Sequence, residues 1–148
     1  MSFFRPEYIV IHHTVTPFGS GQQVADLKHY HVVLDYNPQD NTVRIYQSIP
    51  DNEQSFSGTG YFNSKSYAVA LVGNFERYSV PPELLRQLVQ CLVIKCRKIG
   101  ILNPDKIVSH NFVGRFLAAR KYITACPGHY MLACLPHIRT EVVRRLKT

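Results

Sequence analysis

Two histidines and a cysteine, far apart in the chain, stand where short apolar segments run out into loops. His12 closes the β-branched run at residues 8–12, His110 follows the extended segment 106–109, and Cys126 sits in Thr124-Ala125-Cys126-Pro127-Gly128. Strand ends feeding loops are where a rigid scaffold presents reactive groups. Two imidazoles and a thiolate are donors that zinc accepts readily, and three protein ligands with one open position define a catalytic rather than a closed structural site. Zinc held by neutral histidines and one thiolate would keep a net positive charge, acidify a water molecule and polarise a carbonyl. Spacing alone leaves alternatives open. Seven histidines offer other triplets, His29 and His31 form a rival pair on one strand face, and Cys126-Pro127-Gly128 reads equally well as a tight corner.

The elements that must position these groups follow from periodicity. Ile9, Val10 and Ile11 mark residues 8–12 as a buried strand. Residues 16–21 break the chain, and 22–28 read as a short helix. Segments 31–35 and 42–47 read as strands of a hairpin around Asn37-Pro38-Gln39-Asp40-Asn41, and 67–72 as another buried strand closed by Gly73-Asn74. The strongest helix is 82–98: Ser79 is a candidate cap, proline occupies the first turn, and Leu85, Leu88, Leu92, Cys96 and Ile99 form one apolar stripe ahead of Gly100. Residues 112–121 read as a helical excursion and 129–146 as a final helix. Interleaved strands and helices define an α/β fold, a single domain over residues 1–148 with a central mixed β-sheet flanked by helices.

Composition narrows the function classes. A net charge of +7 favours an anionic partner, although part of the excess lies in the last segment, where Arg139, Arg144, Arg145 and Lys147 face only Glu141. No nucleic-acid-binding motif accompanies that charge, so nucleic acid is not the expected partner. No stretch approaches the ~18 apolar residues of a membrane span, and the N-terminus lacks the pattern of a signal peptide. Cys91 and Cys96, about 140° apart around a helix axis, read as small core hydrophobes, as does Cys134.

Several stretches in order carry a resemblance. Ile9-Val10-Ile11-His12-His13-Thr14, Tyr30-His31-Val32-Val33-Leu34, the run from Asn63 through Ser66 to Val72-Gly73-Asn74-Phe75, and Val108-Ser109-His110 with Thr124-Ala125-Cys126-Pro127-Gly128 resemble the zinc N-acetylmuramoyl-L-alanine amidases of the type 2 family, whose relatives include phage amidases and peptidoglycan-recognition proteins. The resemblance spans roughly residues 8–130. It implies that His12, His110 and Cys126 bind Zn2+, that His13 supports or packs, and that Tyr30 stabilises the oxyanion formed when activated water attacks the amide between N-acetylmuramic acid and L-alanine. Thr124 matches a position held by lysine or threonine and is a further candidate catalytic residue.

The expected partner is therefore peptidoglycan or a muropeptide, the expected state a monomer, and the expected role endolysin-like, with synthesis in the cytoplasm and action on the wall after release by another factor. A non-catalytic muropeptide-binding module and a cytoplasmic muropeptide-recycling amidase are the alternatives. Departures from the family pattern bear on specificity. The interval from His12 to Tyr30 is short, and residues 112–121 look inserted, with Arg115, Arg120 and Lys121 as a possible rim over the groove. Asn111-Phe112 follows His110 in place of Arg-Asp. Phe56-Ser57-Gly58 replaces a stretch bearing a substrate-side histidine, and Ala70 replaces a glutamate used in some branches.

Overall fold

The chain alternates β-branched runs with amphipathic helices, and in the computed structural model these become one five-stranded sheet covered on both faces. The structure describes residues 4–117 and 124–148. The strands are β1 (Tyr8–His13), β2 (Val32–Asn37), β3 (Thr42–Gln47), β4 (Ser66–Leu71) and β5 (Ile107–Ser109), in the order β3-β2-β4-β1-β5. β1 runs parallel to both β4 and β5, β2 is parallel to β4, and only the β2–β3 hairpin is antiparallel. The sheet is thus mixed, as expected.

Alternation along the strands sorts the side chains onto two faces. Ile9, Ile11, Val32, Leu34, Tyr67, Val69, Leu71 and Ile107 point to the larger core, formed with α2 (Pro82–Ile99) and α4 (His129–Leu146). Val10 and Val108 point the other way, onto Phe62 and onto Val113 of α3 (His110–Leu117). Val33, on that same side, packs with Val24 and Ala25 of α1 (Gly21–Asp26). His12 shares this thinner face, because it stands two residues after Val10.

Helix α2 differs at its start from the sequence expectation. Pro81 occupies the capping position with no side-chain hydrogen bond, so Ser79 does not cap it. Pro82 begins the first turn, where its missing N–H costs nothing, and Gly100 ends the helix at φ +80°, a left-handed conformation that glycine adopts freely. Leu84, rather than Leu85, is fully buried alongside Leu88 and Leu92. Cys91 and Cys96 lie in the core, and Cys134 packs at its edge. The excursion after β5 begins at His110 itself and is helical to Leu117; Arg120 and Lys121 of the expected rim lie outside the described residues. No helix of the described residues is long and apolar enough to cross a membrane. Of the C-terminal basic residues, Arg139 is used structurally, its Nε donating to the Ile107 carbonyl at 2.9 Å.

Candidate metal centre

Because β1, β4 and β5 are parallel, their C-terminal ends lie on one edge of the sheet, the edge at which open α/β sheets collect ligands. His12 lies near the end of β1 and His110 is the residue immediately after β5. Their rings approach edge-on with centroids 4.7 Å apart. Cys126 arrives from the loop before α4, and its Sγ lies 3.9 Å from His12 Nδ1. The donor atoms of His12, His110 and Cys126 all lie within 4.8 Å of one another, and among the described residues this is the only such group of three or more.

Each side chain is held by neighbours that leave a donor free. His110 Nε2 lies 3.1 Å from the Gly58 carbonyl oxygen. A carbonyl only accepts, so Nε2 carries the proton and Nδ1 keeps its lone pair. His12 is 1% exposed, and its Nε2 is buried with no hydrogen-bond partner. Burial, reinforced by the neighbouring His110 and His13, holds its pKa well below the ordinary histidine value, so the ring is neutral. Burial pushes the Cys126 thiol up to about 12, opposed by the His13 N–H that donates to Sγ at 3.2 Å. A cation would supply what a thiolate needs in so dry a place.

The residues fit zinc on two counts. The donor set is two imidazoles and one thiol. The 3.9 Å separation of His12 Nδ1 and Cys126 Sγ is long for a hydrogen bond, yet close to the roughly 3.5 Å between N and S donors on one tetrahedral zinc.

Thr124 and Tyr30 occupy different stations. The Thr124 hydroxyl accepts the Cys126 N–H at 3.1 Å, and its carbonyl accepts from Asn111 Nδ2 at 2.6 Å, so Thr124 ties the cysteine loop to α3. The Asn111 N–H donates to the Cys126 carbonyl at 2.8 Å. Tyr30 lies with its ring centroid 5.1 Å from that of His12 and packs on the small cluster of Val24, Ala25, Val33 and Val72. Its hydroxyl has no hydrogen-bond partner among the described residues. Burial and the adjacent Cys126 push its pKa up to about 12, so it remains a donor at neutral pH.

The rival pair does not form. His31 Nε2 lies 2.6 Å from the Glu53 carbonyl oxygen, and Nδ1 accepts the Ala68 N–H at 2.9 Å, so both ring nitrogens serve the backbone. His29 is exposed. Two groups had no signature in the sequence: the Gly58 carbonyl that orients His110, and the His13 N–H that meets Cys126. A cavity of about 440 Å³ lined by Phe18, Asp35, Tyr36, Arg44 and Tyr46 holds no imidazole or thiol, and it is the donor geometry that locates the chemistry.

The sequence matches the profile of the N-acetylmuramoyl-L-alanine amidase family over residues 2–129, and the chain belongs to that family. Similar solved structures share the fold. The N-acetylmuramoyl-L-alanine amidase LysC from Clostridium intestinale URNW is 23% identical, with a TM-score of 0.68 over 98% of this chain and 87% of that one. The Ph2119 endolysin from the Thermus scotoductus bacteriophage Ph2119 is 21% identical, with a TM-score of 0.67 over 91% and 85%. Drosophila PGRP-LB is 20% identical, with a TM-score of 0.67 over 87% and 78%. Among curated proteins, none matches significantly.

Proposed function

We propose that residues 1–148 form a single zinc amidase domain that hydrolyses the amide between N-acetylmuramic acid and L-alanine in peptidoglycan, in an endolysin-like, wall-degrading role. The observation that carries this reading is the convergence of His12, His110 and Cys126 at the carboxyl edge of the sheet, in a chain of the amidase family. Those three residues would hold the metal, which when bound supplies Lewis-acid polarisation of the amide carbonyl and acidification of a water molecule.

The chain's own groups do the rest. His110 is fixed in one tautomer by the Gly58 carbonyl, so its free nitrogen is aimed without rotamer search. Tyr30, protonated at working pH and without another partner among the described residues, offers its hydroxyl to the oxygen that gains charge as the carbonyl carbon becomes tetrahedral. Thr124 acts through Cys126, holding the loop backbone, and is a positioning residue in this reading. No carboxylate stands beside His12 on β4, where Ala70 is its register partner.

The test is release of new L-alanine amino termini from purified peptidoglycan. Zinc-loaded protein should release them, chelator should stop release, zinc should restore it, and His12→Ala should abolish it. Bound zinc with no release from several wall types would replace this reading with that of a muropeptide-binding module. Failure to take up zinc under reducing conditions would overturn it altogether.

A further inference from the structure

The turn after β1 and the turn after β4 leave a cavity of about 390 Å³ between them, lined by Val15, Thr16, Pro17, Asn74, Arg77 and Tyr78. Val15 follows His12 by three residues, a reach of about 10 Å at most, which puts the Val15 wall of the cavity near His12 past the end of β1. The two turns are tied together. Val15 N–H donates to the Gly73 carbonyl at 2.8 Å, and the Thr14 hydroxyl accepts the Gly73 N–H at 3.2 Å.

This wall is built under strain. Val15 has φ +59°, which a β-branched residue adopts at a steric cost, and its side chain is 59% exposed. Burial of Val15 therefore does not explain the conformation. A relay of hydroxyls holds it: Thr14 Oγ1 and Thr16 Oγ1 lie 2.6 Å apart, and Ser20 Oγ donates to Thr16 Oγ1 at 2.8 Å. Strain maintained by such a network, with the side chain turned outward, is a pattern of ligand-facing segments.

Across the cavity stands Arg77. Its guanidinium has no hydrogen bond or ion pair among the described residues, whereas the neighbouring Glu76 is engaged by His129, which it meets at 3.2 Å. The cavity lining contains no acidic residue. The 440 Å³ cavity beyond Phe18 differs here, because Arg44 shares it with Asp35 and Asp40. Of these two cavities, the one lined by Val15 and Arg77 combines a cation without a partner among the described residues with a lining of no negative charge.

We propose that Arg77 binds a free carboxylate of the substrate's peptide, one or two residues beyond the scissile amide, against the wall formed by Val15. This rests on the amidase reading, which puts such a peptide in the groove. A guanidinium is suited to a planar carboxylate through paired N–H bonds, and a rigid wall opposite it limits the approach to one direction.

The test compares Arg77→Gln with wild type, a substitution at an exposed side chain that holds nothing else in the fold. The probes are L-alanyl-γ-D-glutamyl-L-lysine, titrated calorimetrically, and its N-acetylmuramoyl derivative as substrate, each with its carboxylates free or converted to carboxamides. Arg77→Gln should weaken binding of the free acid and raise its KM by roughly tenfold, with kcat little changed. The carboxamide forms should respond to the substitution little, and Arg77→Lys should recover part of the loss. Equal effects on acid and carboxamide, or no effect on either, would overturn the assignment. Zinc-loaded wild type that cleaves neither substrate would sink the amidase reading instead, while the titration would still decide the carboxylate site.

Discussion

The main-chain N–H of His13 donates to the sulfur of Cys126 at 3.2 Å, joining residues 113 apart in the sequence. The same residue turns its ring to the opposite face of the sheet, where Nδ1 accepts the Phe75 N–H at 3.1 Å. The Phe75 carbonyl in turn accepts the Tyr130 N–H at 3.0 Å, just past the cysteine loop. His13 therefore holds both sides of the loop that carries Cys126, using its backbone for one and its imidazole for the other. Adjacent histidines on a strand can divide their work in this way because their side chains leave from opposite faces.

Thr124→Val should separate positioning from direct catalysis. The substitution keeps the branched shape and removes the oxygen that accepts the Cys126 N–H. Loss of such a supporting bond lowers metal affinity by about 10- to 100-fold. Competition against a zinc chelator should register that fall, and activity at saturating zinc should return to near wild type. A large deficit that saturating zinc does not repair would instead give Thr124 a direct part in the reaction.

Gly128→Ala should damage both stability and metal binding. A Cβ there would lie 2.3 Å from the Phe75 carbonyl carbon and 2.4 Å from the Glu76 nitrogen, both backbone atoms, at φ +92°. The loop cannot give way without moving Cys126, two residues earlier. A loss of about 3 kcal/mol is expected from the combined overpacking and backbone strain. Urea denaturation of the metal-free protein would measure it, and an unchanged midpoint would contradict the packing described.

How much of this was legible in the sequence depends on whether side chains or backbone carry the feature. The continuous β-branched run Ile9-Val10-Ile11 and the stripe through Leu88 and Leu92 made β1 and α2 readable, since burial selects residue type there. The family stretches singled out His12, His110 and Cys126, and the fold brings their donor atoms within 4.8 Å of one another. By contrast, the Gly58 carbonyl that orients His110 is a main-chain group, and any residue supplies one. His31 carried a residue type suggestive of metal binding, but its two ring nitrogens are spent on the Ala68 N–H and the Glu53 carbonyl. Nothing in the residue types distinguishes those two uses of histidine.

Asp51 should govern acid stability. It lies behind a 9% exposed side-chain surface, ion-paired to Lys95 and Lys98 and hydrogen-bonded by Tyr67 and Gln47. Burial by itself would raise its pKa, but the bonds from Lys98, Tyr67 and Lys95 outweigh it and hold the carboxyl well below the usual range. A depressed folded-state pKa means the stabilisation is fully present above the unfolded value of about 3.9 and is lost as pH falls toward the folded value. Asp51→Asn should cost about 2 kcal/mol at neutral pH. Thermal denaturation between pH 2 and 7, a range of about 5 units chosen to bracket ordinary carboxylates, should show the variant converging on wild type at the acid end. Parallel curves would mean that the charge on Asp51 contributes nothing.

Tyr30→Phe isolates the hydroxyl proposed to meet the developing oxyanion. The ring packs on Val24, Ala25, Val33 and Val72, and phenylalanine preserves that contact, so folding and zinc content should be unchanged. An oxyanion donor acts only as charge develops, so kcat should fall by about 10²-fold while KM moves little. Because burial pushes the Tyr30 pKa up to about 12, the wild-type hydroxyl stays protonated throughout the neutral range, and the variant should not shift any pH-rate limb below about 10. A drop confined to KM would place Tyr30 in ground-state binding, and a shifted limb near neutrality would make it an acid–base group; steady-state kinetics across pH on a soluble N-acetylmuramoyl peptide distinguishes the three.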